Sequence, residues 1–222
     1  MDKEKQMDLP YAGIRLLLLG ATGAVGQQVL YQAFMDARVA KVLAPTRRPL
    51  EPHPKLDNPV TRFSELPDDA SWWTADVVIC ALGTTIKVAG SQAAFAAIDR
   101  DLPIAIALRA RAAGAQTFVL NSSLGAARTG NFYLRTKAEV EDGIRQLGFP
   151  SYTIVRPSLI DAKRTESRPG EKIGLAIACL LGPLIPRRYR PVKAEAIART
   201  LICSALESIP GERIIESEAI DA

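Results

Sequence analysis

The chain has 222 residues, of which 48% are hydrophobic and 23% charged, with 15 glycines and 15 prolines. This composition excludes collagen-like, coiled-coil and largely disordered chains, and the length suits one domain over residues 1–222 with a sizeable core. The net charge of +4 is not gathered into a basic stripe, so nucleic-acid binding is not expected.

The three cysteines, Cys80, Cys179 and Cys203, are far apart and form no CxxC pair, so no disulfide framework is expected. The single histidine, His53, lies between Pro52 and Pro54 and reads as a loop residue. A multi-histidine metal site is thereby excluded. Met1 to Asp8 is polar and mixed in charge, without the apolar core of a secretory signal. No stretch reaches the ~18 apolar residues of a membrane span. The longest candidate, Ile173 to Pro186, is short and interrupted by Gly182 and Pro183. With unpaired cysteines, these features lead to the expectation of a cytoplasmic protein.

In chain order, the apolar run Ile14 to Leu19 predicts a buried parallel strand ending at Gly20, and Ala24 to Ala37 has helical spacing. Val39 to Thr46 predicts a second strand, followed by Arg47, Arg48 and a proline-rich loop from Glu51 to Pro59. Val60 to Phe63 is a weak third strand and Asp76 to Leu82 a strong fourth. Ser91 to Ala113 is alanine-rich and helical, with a break expected near Pro103. Gln116 to Ser122 predicts a strand, Phe132 to Leu147 a helix, and Tyr152 to Arg156 a sixth strand stopped by Pro157.

This alternation predicts an α/β fold: a doubly wound parallel sheet with helices on both faces and ligands beyond the carboxyl ends of the strands. Residues 158–222 read as containing a small substrate-side lobe. It includes the charged stretch Asp161 to Lys172, the apolar run, Arg187, Arg188 and Arg190, a helix from Lys193 to Leu206 and a short strand near Arg213 to Ile215.

The first strand runs into Gly20-Ala21-Thr22-Gly23-Ala24-Val25-Gly26 and then a helix. Gly20 permits the turn, Gly23 lets the backbone approach a phosphate, and Gly26 lets the helix pack close to the strand. The helix N-terminus offers unpaired N–H groups to an anion. At the end of the second strand an acid would bind the ribose 2′-hydroxyl of NAD. Here Arg47 and Arg48 stand instead, with no carboxylate before Glu51, which favours the 2′-phosphate of NADP.

Tyr133 and Lys137 are four residues apart on one predicted helical face, whose stripe continues through Val140, Ile144 and Leu147. A free tyrosine has a pKa of about 10. A nearby ammonium and an oxidised nicotinamide favour its phenolate, so the pair suits proton transfer in carbonyl reduction or alcohol oxidation. Ser123 is the first candidate to hydrogen-bond the substrate oxygen and Ser122 the next, since strand alternation does not decide between them. A second match, Tyr189 to Lys193, contains Pro191, which argues against regular helical stacking.

These residues resemble the atypical branch of the short-chain dehydrogenase/reductase superfamily, and within it the Tat-interacting-protein-like oxidoreductases. The resemblance runs from about Arg15 to Glu171. It rests on Gly20 to Gly23, Leu82-Gly83-Thr84-Thr85, Ser122 to Ala126, Asn131 to Leu134, Lys137 to Glu141 and the unusual block Arg164 to Glu171. It implies NADP binding in a Rossmann, NAD(P)-binding fold, with Ser123, Tyr133 and Lys137 as catalytic residues and Lys137 also at the nicotinamide ribose. It also implies that Ala81, Leu82, Gly83 and Thr84 lie beside the cofactor, that Ser122 belongs to the binding set, and that Arg156 and Pro157 border the nicotinamide. Two departures stand out. Arg62-Phe63 occupies the place where relatives often carry an aspartate, and no asparagine in Ser91 to Ala113 completes a four-residue catalytic set; Asp99 falls nearby, but an acid is not an equivalent donor.

The resulting expectation is an NADP-dependent oxidoreductase acting on a small carbonyl or alcohol, as a monomer or homodimer with room for a protein partner. The alternatives are a cofactor-sensing regulator without turnover and an enzyme like the nucleotide-sugar epimerases or dehydratases.

Overall fold

The computed structural model describes residues 13–161 and 186–220. Seven strands form one all-parallel sheet in the order β3-β2-β1-β4-β5-β6-β9. They are β1 (Ile14–Leu19), β2 (Val39–Leu43), β3 (Leu56–Asp57), β4 (Val77–Cys80), β5 (Thr117–Asn121), β6 (Ser151–Arg156) and β9 (Gly211–Glu216). Two short strands, β7 (Ile160–Asp161) and β8 (Val192–Lys193), pair with each other beyond the end of β6.

The alternation of strand side chains explains why β1 is leucine after leucine. Leu16 and Leu18 face one layer, with Val25, Val29 and Ala33 of α1 (Ala24–Met35) and Ile197, Ala198 and Leu201 of α6 (Ala194–Glu207). Leu17 and Leu19 face the other, with Ile106 and Ala110 of α4 (Leu102–Ala112), Val140 and Ile144 of α5 (Phe132–Arg145), and Trp72 and Trp73. A sheet covered on both faces needs apolar residues at every position, which is the doubly wound arrangement expected.

Two expectations are corrected. The third strand is Leu56–Asp57, inside the segment read as a loop, and Val60 makes a single parallel bridge to Thr46. A two-residue edge strand is held by backbone bonds and by Asn58, whose amide bonds Ala44 O and Thr46 Oγ1, so it has no need of an apolar run. The helix also does not break at Pro103. After the single turn of α2 (Ile86–Ala89), helix α3 (Gln92–Ala96) passes through a π turn at Ala97–Asp101 directly into α4, where the proline occupies the first turn. The proline follows directly on the π turn, whose wider i→i−5 spacing, shown by the Leu102 N–H bond to Ala97 O, interrupts the regular i→i−4 ladder at the point where the proline ring must fit.

Helix α6 packs on α1 and β9 completes the main sheet, whereas residues 158–161 and 186–193 lie above the strand ends. The charged and apolar stretches from residue 162 to 185 lie outside the described residues. No helix among the described residues is long and apolar enough to cross a membrane. His53 stacks on Phe34 with ring centroids 3.7 Å apart, and its Nδ1 accepts from the Lys55 amide, so it organises its loop.

Cys80 ends β4 fully buried, and burial pushes its thiol up to about 11, whereas Cys203 is exposed. The thiolate is the reactive form. Alkylation of the native protein at pH 8 should therefore modify Cys203 and spare Cys80, with Cys80 reacting after urea is added. Peptide mass spectrometry reads the difference, and equal labelling in the native state would contradict the burial.

Candidate active site

The glycine loop closes the carboxyl end of β1. Gly20 has φ +84°, and a Cβ there would stand 2.6 Å from the carbonyl oxygen of Ala81. A Cβ at Gly26 would lie 2.0 Å from the carbonyl oxygen of Gly20, so this glycine sets how closely α1 approaches the turn. Gly23 is the N-cap of α1; no side chain caps the helix, and its first turn has no acid. Its free N–H end and partial positive charge therefore face open space. Ala21 is buried and Thr22 exposed behind the turn, where the Thr22 carbonyl accepts from Gln27.

Gly23, Ala24 and Val25 line a cavity of about 580 Å³ at the carboxyl edge of the sheet. Ala81, Leu82, Gly83 and Thr84, after β4, form its next wall. Asn121, Ser122 and Ser123 enter from the end of β5, Tyr133 and Lys137 from α5, and Pro157 from the end of β6. Leu159, Ile160 and Tyr189 form the outer rim. Asn131 positions α5 by accepting the Leu134 amide with its side chain. In the first turn of α5 the Tyr133 ring packs on Phe95 at 5.7 Å, and Lys137 Nζ, one turn on, lies 5.8 Å from its centroid.

The structure separates the two serines. Ser122 Oγ donates to Glu141 at 2.5 Å in the protein interior. Ser123 Oγ has one long contact, 3.4 Å, with the carbonyl of Leu124. Of the two, Ser123 has the hydroxyl available to a ligand. Arg156 is turned away from the cavity: Glu141 takes its Nε at 3.0 Å and its Nη2 at 2.6 Å, and Glu216 takes its Nη1 at 3.0 Å. Pro157 remains at the rim. Arg47 lies on a separate cavity, which Arg48 does not line.

Sequence reasoning gave no role to Asn121, Glu141 or Tyr189 and weighed Asp99 solely as a missing donor. Asp99 is the most consequential. The π turn directs its carboxylate inward, where Oδ1 accepts from Lys137 Nζ at 2.8 Å and Oδ2 from the Thr84 amide at 3.0 Å. Its side chain is 0% exposed and that of Lys137 is 6% exposed. Burial alone would lower the lysine pKa, but the Asp99 carboxylate and Tyr133 outweigh it and hold Lys137 above its ordinary value. Tyr189, on a 3₁₀ turn, shares the cavity with Tyr133, whereas Lys193 lies in β8. The second Tyr-x-x-x-Lys match therefore does not share one helix.

The residues present fit a dinucleotide. A Cβ at Gly20 or Gly26 would collide with the backbone that shapes the glycine turn, Gly23 lines the cavity, the N-terminus of α1 is uncapped, and the buried Oδ1 of Asn121 has no partner among the described residues. Among the same residues no cluster of His, Cys, Asp and Glu suits a metal ion.

Fold and crevice together define a dinucleotide-binding protein of the Rossmann class. The sequence pattern of a family described as NAD(P)H-binding matches residues 20–174, and the chain belongs to that family. It is 32% identical to Protein fmp52, mitochondrial, of Aspergillus niger over 91% of this chain and 92% of that one. It is 35% identical to Protein HTATIP2 of Rattus norvegicus over 70% of this chain and 66% of that one, in line with the expected Tat-interacting-protein-like relationship. In fold it is similar to the Bordetella bronchiseptica enzyme WbmH in complex with NAD+. The TM-score is 0.69 and the identity 14%, over 94% of this chain and 77% of that one. The cytoplasmic expectation is overturned by the fungal relatives, which are named as mitochondrial proteins. A polar N-terminus and unpaired cysteines were too weak a basis for it, because both also suit compartments inside an organelle.

Asp99→Ala leaves a buried ammonium without its partner and should cost about 3–5 kcal/mol of stability, measured by urea unfolding. A lysine held above its unfolded value contributes stability that is complete below that value and is lost as pH rises through the folded one. In the variant, burial acts on the ammonium without its carboxylate, so the gap between wild type and variant should narrow as alkaline pH lets Lys137 shed its proton in the variant first, and close further above about pH 10.4 as the wild-type lysine follows.

Proposed function

We propose that the protein is an NADP-dependent oxidoreductase acting on a small carbonyl or alcohol. The observation that carries the reading is convergence: the glycine cradle, Ser123, Tyr133 and Lys137 meet in one cavity. Arg47 and Arg48, with no acid at the end of β2, support the phosphorylated coenzyme.

A bound nicotinamide supplies the hydride donor or acceptor. The chain's own residues do the rest. The first-turn amides of α1 hold the pyrophosphate, and the Ala81 to Thr84 wall borders the coenzyme. Ser123 Oγ donates to the substrate oxygen and fixes its distance from Tyr133. The Tyr133 hydroxyl gives its proton to that oxygen during reduction and takes one back during oxidation. Lys137, fixed by Asp99, holds its ammonium beside the Tyr133 ring. Leu159, Ile160 and Tyr189 give the rim an apolar and aromatic character suited to a small organic group.

The test pairs binding with turnover. Calorimetry should show NADPH binding more tightly than NADH. In a screen of aldehydes and ketones followed by NADPH absorbance, Tyr133→Phe should lower turnover about 10²–10⁴-fold with little change in coenzyme affinity. Undiminished turnover in that variant would remove tyrosine as the proton carrier. Tight NADPH binding with no turnover on any carbonyl would favour a cofactor-sensing regulator.

A further inference from the structure

A second cavity, of about 520 Å³, is lined by Arg47, Val60, Thr61, Arg62, Phe63 and Ser64. It lies at the same sheet edge as the glycine loop, since β3, β2 and β1 are parallel neighbours and these residues follow the carboxyl ends of β2 and β3. The two strands continue toward each other past their ends: Thr46 N donates to Pro59 O at 3.1 Å and Thr61 N to Thr46 O at 2.9 Å. Asn58 ties the same corner, donating to Ala44 O at 2.5 Å and Thr46 Oγ1 at 2.8 Å while accepting from Leu50 N at 2.7 Å. Arg47 and Arg62 thus leave one braced corner from adjacent strands.

Both arginines are exposed, and neither makes an ion pair among the described residues, whereas Arg38, Arg100, Arg109, Arg145 and Arg156 each pair with a carboxylate. No acid lines the cavity. Two guanidinium groups without counter-charge, on a rigid frame around a concave space, favour a compact dianion through charge-assisted, bidentate hydrogen bonds. A ribose diol, which calls for a carboxylate acceptor, finds none there.

We propose that Arg62 and Arg47 form the subsite for a nucleoside 2′-phosphate monoester, making Arg62 a determinant of coenzyme choice. This deepens the NADP reading above and rests on it. Arg62 supplies the second cation in place of Arg48, which does not line the cavity.

The test is calorimetry at fixed ionic strength with NADPH and NADH on wild type, Arg62→Ala, Arg62→Lys and Arg47→Ala/Arg48→Ala. Loss of a hydrogen bond to a charged group predicts that Arg62→Ala weakens NADPH binding about 10- to 100-fold and changes NADH binding less than about twofold. Arg62→Lys should keep part of the affinity, and adenosine 2′-monophosphate should compete against NADPH better on wild type than on Arg62→Ala. The circular-dichroism melting temperature of Arg62→Ala should match wild type. If Arg62→Ala keeps NADPH affinity within twofold while the Arg47/Arg48 variant loses it, the Arg62 subsite is wrong and the NADP reading stands. If Arg62→Ala weakens both coenzymes equally, the residue does not read the 2′-phosphate. If wild type binds both coenzymes equally, the NADP reading itself fails.

Discussion

A buried ammonium must be neutralised, and the way this chain neutralises Lys137 organises the centre of the molecule. One carboxylate, Asp99, accepts both the lysine and the Thr84 amide. It thereby ties helix α5 to the loop after β4 across the floor of the cavity. An asparagine has a single acceptor oxygen and would leave one of these donors without a partner. The extra residue of the π turn is what brings the carboxylate inward, in agreement with the frequent placement of such turns at functional sites.

A second buried pair lies one helical turn further along α5. Glu141 binds both Ser122 and Arg156, and Arg156 continues to Glu216 at the end of β9. This chain of contacts joins the ends of β5, β6 and β9 behind the cavity. It uses up the hydroxyl of one serine and so distinguishes the adjacent one. Charged residues that sequence inspection assigns to a ligand can instead be part of the frame that holds the ligand's contacts in place.

Much of the fold was legible because its central strands are covered on both faces. Four consecutive leucines, Leu16-Leu17-Leu18-Leu19, suit a strand buried on both sides and little else. The glycine loop was legible because each glycine answers a steric demand, and the Tyr133–Lys137 spacing because helical geometry fixes which residues share a face. The third strand was not legible: Leu56–Asp57 is an edge pair held by backbone and Asn58 contacts that leave no hydrophobic pattern. The role of Asp99 was hidden by Pro103, which reads as a helix stop when the pattern assumed is purely α-helical. The choice between Ser122 and Ser123 depended on Glu141, a partner 19 positions away from Ser122.

The order of strands also bears on how the chain comes to be folded. Strand β6 lies between β5 and β9, and its pairing with β9 joins residues 60 positions apart. During synthesis, β6 is made well before its outer neighbour, so its backbone N–H and C=O groups on that side have no strand to pair with. Parallel pairing over long sequence separation is intrinsically slow. A nascent chain of this protein therefore passes through an interval in which a buried strand presents an open edge. Until Gly211–Glu216 is in place, that side of β6 is the part of the unfinished sheet whose backbone groups are free to pair.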